Sequence, residues 1–173
     1  SNLSFRLIKN PSSSSLIFKF DGSTENTVIV DRCRFSGGFV FGIQSYAPET
    51  TITNCFFHGI SRALLGDTGV IVHFLNNTII DGPDAINIKG SGEIKNCVFI
   101  HSGATQYYSA SVTASHNAST DTAPGTDGLS NLIFDELRFW DTDLGGYGLI
   151  APQIFPDSIL ATAGTDVSIT ADM

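Results

Sequence analysis

Five segments of this chain align without gaps, and a chain that repeats at about twenty residues has few folds open to it. They are VDRCRF (Val30 to Phe35), ITNCFF (Ile52 to Phe57), LNNTII (Leu75 to Ile80), IKNCVF (Ile94 to Phe99) and FDELRF (Phe134 to Phe139). Their central residues are Cys33, Cys55, Thr78, Cys97 and Leu137. Three residues earlier stand Val30, Ile52, Leu75, Ile94 and Phe134, and two residues later stand Phe35, Phe57, Ile80, Phe99 and Phe139. The two residues before each centre are polar in every copy. Apolar residues at the centre and two beyond it mark a β-strand with one buried face. Polar or glycine-rich turns follow, as in Ser36-Gly37-Gly38, His58-Gly59 and Asp81-Gly82-Pro83. A second apolar stretch comes next, as in Ala63-Leu64-Leu65 and Ala85-Ile86-Asn87-Ile88.

A unit this short cannot bury its own apolar face, but stacked copies can. The spacing therefore predicts an all-β parallel solenoid of about six or seven short coils, rising about 4.8 Å each. Centres lie 22, 23, 19 and 40 residues apart, and the last step fits two coils with an irregular copy at Ser115-His116-Asn117. Coils are expected over residues 1–140. Residues 141–173 break the repeat with Gly145-Gly146, Pro152 and Pro156, and are expected to cap the end or mediate oligomerisation. No stretch carries the apolar spacing and caps of a helix.

Stacking turns equivalent positions into ladders. Cys33, Cys55, Thr78, Cys97 and Leu137 are expected to fill one core column, and Phe35, Phe57, Ile80, Phe99 and Phe139 a second. This places all three cysteines as small buried hydrophobes rather than as metal or redox groups. Asn54, Asn77 and Asn96 form a third column at a turn, where asparagine accepts left-handed geometry and bonds nearby amides; a row of amides gripping sugar hydroxyls is the alternative.

Composition narrows the partners. Charged residues are only 15% of the chain, so Ser, Thr, Asn and Gly must build much of its surface. A net charge of −8 argues against nucleic acid and against anionic membrane surfaces. No apolar run approaches the roughly 20 residues of a membrane span. The chain begins at Ser1 without a signal-like stretch, which reads as a processed precursor or an excised module.

The NCxF-type repeat, over roughly residues 27 to 140, resembles the right-handed parallel β-helix superfamily of pectate lyases, polygalacturonases, alginate epimerases and phage tailspikes. Tyr107-Tyr108 and the run from Ala114 to Thr126 resemble a segment that precedes the last coil in β-helix proteins of bacteria and tailed phages. Tyr147-Gly148-Leu149, Pro156-Asp157-Ser158 and the run from Ala163 to Val167 resemble their closing segment, which usually continues past the point where this chain stops. The resemblance implies a single-stranded right-handed β-helix and a homotrimer.

Carbohydrate chemistry on such a fold needs paired carboxylates, or a base beside calcium-binding carboxylates. The best candidates are Arg62, Asp81 and Asp84, with Lys89 nearby. Against them stands a Gly-Pro turn carrying a cross-coil ion pair. The Asp-Asp and Gly-His-Gly signatures of polygalacturonases and the clustered Arg and Asp motifs of pectate lyases are not found. The four histidines, His58, His73, His101 and His116, read as turn or surface residues. The acidic loop from Thr120 to Gly128 lacks calcium-loop spacing and reads as a connection. No metal or cofactor is expected. N-x-[ST] sequons occur at Asn76 and Asn117.

These readings favour a non-catalytic structural or attachment module in a virion, as a capsid decoration or a tailspike- or fibre-like protein. Its partners would be its own copies and capsid or tail proteins. The alternatives are an extracellular polysaccharide lyase, hydrolase or epimerase, and a carbohydrate-binding adhesin. Fold alone does not choose among them.

Overall fold

A computed structural model describes residues 3–6, 16–21, 27–38, 40–100 and 107–132. Its strands follow one another in threes. The first turn holds β1 (Leu3–Arg6), β2 (Leu16–Phe20) and β3 (Thr27–Asp31); the second holds β4 (Cys33–Ser36), β5 (Phe41–Ser45) and β6 (Glu49–Thr53). The third has β7 (Phe56–His58), β8 (Arg62–Gly66) and β9 (Ile71–Leu75). The fourth has β10 (Thr78–Ile80), β11 (Ile86–Ile88) and β12 (Ser91–Lys95). The fifth has β13 (Val98–Ile100), β14 (Tyr107–Tyr108) and β15 (Val112–Ser115), and β16 (Ala118–Ser119) opens the next. Each strand pairs in parallel with its counterpart one turn away, giving a first sheet β1-β4-β7-β10-β13-β16, a second β2-β5-β8-β11-β14 and a third β3-β6-β9-β12-β15. The fold is a parallel β-solenoid, as the repeat requires.

The register corrects the ladders at the fourth turn. Arg34 pairs with Phe56 and Phe56 with Thr78, so Asn77 rather than Thr78 follows Cys55 in the core column. Thr78 pairs with Val98 and Val98 with Ala118, which continues that column to Cys97 and Asn117. The second column is Phe35, Phe57, Ile79, Phe99 and Ser119, with Ile79 in place of Ile80. Phe74, not Leu75, lies between Ile52 and Ile94. Strand side chains alternate between faces, so a slip of one residue sends Thr78 and Ile80 to the outer face. The slip arises because Asn76-Asn77 lets the copy be read in two registers, and Thr78 looks the better core filler. Leu137 and Phe139 lie outside the described residues, as do residues 141–173.

Asn77 is 1% exposed and its side chain is tied twice to the preceding turn. Its Oδ1 accepts from the Cys55 amide at 2.8 Å, and its Nδ2 donates to the Ile52 carbonyl at 2.8 Å. Asn117 repeats this, accepting from the Cys97 amide and donating to the Ile94 carbonyl. At a cysteine rung the sulfur takes over as acceptor, because the Cys33 amide donates to Cys55 Sγ at 3.4 Å. The turn column keeps Asn54 and Asn96 as expected and is shifted by one only at the fourth turn, where Asn76 stands in place of Asn77. Arg32, Asn54, Asn76, Asn96, His116 and Asp127 all have φ between 52° and 55°. This left-handed residue leads the chain from the third sheet into the first, which explains the run of Asn there.

The core between the sheets stacks Phe35 on Phe57 with ring centroids 4.7 Å apart and planes within 4°. Phe74 leans on Phe57 from the third sheet at 6.1 Å. Glycine is required where turns touch: a Cβ on Gly92, whose φ is +132°, would stand 1.9 Å from the Val72 carbonyl oxygen. The loop from Thr120 to Gly125 takes a short cut. Ser115 bridges Thr126 and Ala118 bridges Leu129, only eleven residues on, so this turn omits the second sheet. Ala123 is buried in that crossing.

A second apolar cluster lies on the outer face of the first sheet, formed by Phe56, Ile80, Val98, Ile100, Ala118 and Leu132 with Leu129 against them. Around this cluster the first sheet is therefore buried on both faces, and its outward positions there are mostly apolar, which is expected of doubly covered parallel sheets; Arg34, Ser36, His58 and Thr78 are the half-buried polar outward positions.

Candidate functional site

The corrected register places Arg62 and Asp84 at the same position of consecutive turns. Arg62 opens β8, and Asp84 sits in the Gly-Pro turn before β11, where its amide donates to the Ser61 carbonyl. Arg62 Nη2 donates to Asp84 Oδ2 at 3.0 Å. The guanidinium also lies over the Phe41 ring, 5.4 Å from its centroid. Arg62 Nε is buried and makes no hydrogen bond. Asp81 turns to another partner: its Oδ2 is 3.4 Å from His58 Nε2. Lys89 reaches Asp67 at 3.6 Å. The three candidates thus divide between two cross-turn contacts, Arg62 with Asp84 and Asp81 with His58. Asp81 stands in the left-handed region at φ 55°, one turn below Gly59 at φ 63°, and an aspartate tolerates that geometry.

The densest polar cluster lies elsewhere and was missed in the sequence. On the outer face of the third sheet, Thr51, His73, Glu93 and Thr113 form one column. His73 Nδ1 lies 2.8 Å from Glu93 Oε1, and Nε2 lies 3.4 Å from Glu49 Oε1. Lys95 Nζ reaches Glu93 Oε2 at 2.7 Å. One imidazole thus bridges the second, third and fourth turns. The signal was present as a spacing of 20 between His73 and Glu93. The slip that misplaced Thr78 also shifted His73 away from Glu93.

Lys95, and then His73, hold the Glu93 carboxyl below its ordinary range, against the opposing effect of burial. A depressed folded value adds stability that is present above the unfolded value, about 4.3 for a glutamate. That stability is lost as pH falls through the lower folded value. Wild type is therefore expected to lose more stability than Glu93→Gln between pH 6 and pH 3, by about 1 kcal/mol or less for so partly exposed a group. Urea melts at both pH values check this; identical acid losses in the two proteins would refute it.

The thiols are not poised for chemistry. Burial pushes Cys55 and Cys97 up to about 12 and raises Cys33 as well. At neutral pH they are thiols, and a thiol is a poor nucleophile and metal ligand. Each donates to main-chain carbonyls, Cys55 to Thr53 and Cys97 to Lys95 and Phe74. Among the described residues no group of three or more His, Cys, Asp or Glu side chains is arranged to hold a metal ion. Asn117 is buried, with Nδ2 donating to the Ile94 and Pro124 carbonyls, so its sequon is closed in the folded chain. His116 Nδ1 is buried without a hydrogen bond, and His101 lies outside the described residues.

Comparison of the chain with protein-family models, with curated proteins and with solved structures finds no match.

Proposed function

We propose that this chain is a non-catalytic structural or attachment module, a virion component of the capsid-decoration or tailspike type that works as a homotrimer. The observation that carries the reading is how its charged side chains are used. Arg62 with Asp84, His58 with Asp81, and His73 with Glu49 and Glu93 each join consecutive turns. Groups that could serve acid–base chemistry are thereby spent on holding turns in register. Buried amides and neutral thiols do the same inside the core. The resemblance of the repeat to phage β-helices supplies the virion assignment.

A polysaccharide-processing enzyme is the second reading. Arg62 favours it, because a partly exposed guanidinium beside an aromatic ring and a carboxylate is a group suited to a substrate carboxylate. One experiment separates the two. Incubation with uronate polymers is expected to release no unsaturated or reducing ends, and particles are expected to carry the chain in fixed stoichiometry. Product release that Arg62→Ala or Asp84→Ala abolishes would establish the enzyme. Light scattering at micromolar concentration is expected to give three times the chain mass, and a clean monomer overturns the trimer.

A further inference from the structure

On the outer face of the third sheet one imidazole has a carboxylate at each ring nitrogen. His73 Nδ1 lies 2.8 Å from Glu93 Oε1, and Nε2 lies 3.4 Å from Glu49 Oε1. A neutral imidazole carries one N–H and one lone pair, so it donates to only one of them. Its other nitrogen then points a lone pair at a carboxylate. Both contacts are attractive only in the protonated ring, where both nitrogens donate. The other cross-turn pairs make no such demand. His58 faces the single carboxylate of Asp81 at 3.4 Å, and a ring in either state donates once. Arg62, paired with Asp84, keeps its charge at every working pH.

We propose that His73 is a pH-operated clip between turns. The protonated ring joins β6, β9 and β12 by holding Glu49 and Glu93 at once. The neutral ring keeps the shorter contact with Glu93 and releases Glu49, so the second turn loses this tie to the third. Imidazole is the side chain whose charge ordinarily changes between about pH 5 and pH 8, so mild acid closes the clip and mild alkali opens it. The sign is that of a cation gaining anionic partners on folding: the stability it contributes is present on the acid side and is lost as pH rises.

Three charged groups face the ring among the described residues. Glu49 comes from β6 on one side, and Glu93 and Lys95 come from β12 on the other; β9 itself carries no further charge. Two turns from His73 on the same face stand Ile29 and Asp31 of β3, and one turn beyond Glu93 stands Thr113 of β15. Lys95 opposes the ring's charge, but its Nζ sits 2.7 Å from Glu93 Oε2, which leaves Oε1 to the imidazole. The carboxylates at the ring therefore outnumber the ammonium. The His73 side chain is 30% exposed and that of Glu49 46%, so water screens the pair and its effect on folding is small. Ile71 pairs with Glu49 in the neighbouring turn and is exposed, so release of Glu49 changes the polar border of the apolar part of this face.

A double-mutant cycle tests the clip in the full chain at one protein concentration. Wild type, Glu49→Gln, His73→Gln and the double variant are melted in urea at pH 5.5 and at pH 8.5. Coupling between positions 49 and 73 is expected to be about threefold in the folding constant at pH 5.5 and to vanish at pH 8.5. The same cycle with Glu93→Gln is expected to show coupling at both pH values, because a neutral ring still donates once. Equal coupling of 49 with 73 at the two pH values, no coupling at pH 5.5, or stronger coupling at pH 8.5 would overturn the clip. If His73→Gln does not melt cooperatively, Glu49→Gln is read alone. Its cost is then expected to be about threefold greater in the folding constant at pH 5.5 than at pH 8.5, and equal costs overturn the proposal.

Discussion

Asn77→Ala is expected to cost about 4 kcal/mol, the loss of two buried hydrogen bonds at about 1–3 kcal/mol for each group left unsatisfied. Truncation strands the Cys55 amide and the Ile52 carbonyl, both bound to this side chain at 2.8 Å and shielded from water. For a chain of this length that loss lowers the melting temperature by roughly 10 °C. Asn77→Cys is the informative companion. Cysteine already serves this column at Cys33, Cys55 and Cys97, and the Cys33 amide shows that a sulfur one turn below can accept. The cysteine variant is expected to lose about half as much, since sulfur is a weaker acceptor but fills the corner. Equal losses for Ala and Cys would mean that volume, not hydrogen bonding, sets the demand at this rung. A loss below about 1 kcal/mol for Ala would contradict the buried position.

Phe57→Ala is expected to cost about 3–5 kcal/mol through lost burial and the cavity left behind. Phe57 is fully buried, stacked on Phe35 at 4.7 Å and braced by Phe74 at 6.1 Å, so its loss opens a gap between two turns and two sheets. Turns of a solenoid contact only their neighbours, and the damage should be local. Hydrogen exchange is expected to rise in β4, β7 and β10 while β15 keeps its protection. A uniform rise along the chain would show that the turns unfold as one unit. Thr51→Ala, on the outer face of the third sheet, serves as a control and should stay within about 0.5 kcal/mol.

Much of this architecture was legible because the information is periodic. Phe35, Phe57 and Phe99 share one offset from Cys33, Cys55 and Cys97, and alternation around them marks strands buried on one side. Arg62 and Asp84 could be brought near each other from spacing alone. The left-handed turn residue was half visible: Asn54 and Asn96 belong to that column, while the third asparagine placed there, Asn77, points inward and Asn76 takes its position.

By itself, the sequence determined that strands of this spacing must stack in parallel, and that cysteines and phenylalanines would form columns inside. Those features follow from one strand's pattern repeated, which needs no knowledge of its neighbours. Tertiary structure alone decided four further points: the rung held by Asn77, the partners of His73, the short turn that closes beneath Ala118, and the burial of the first sheet on both faces. Each depends on the offset between strands some twenty residues apart. A side chain two residues along returns to the same face, but one residue along crosses to the other. Where two asparagines adjoin, hydrophobic pattern no longer fixes that offset, and only the hydrogen bonds from Cys55 and to Ile52 settle which of them faces the core.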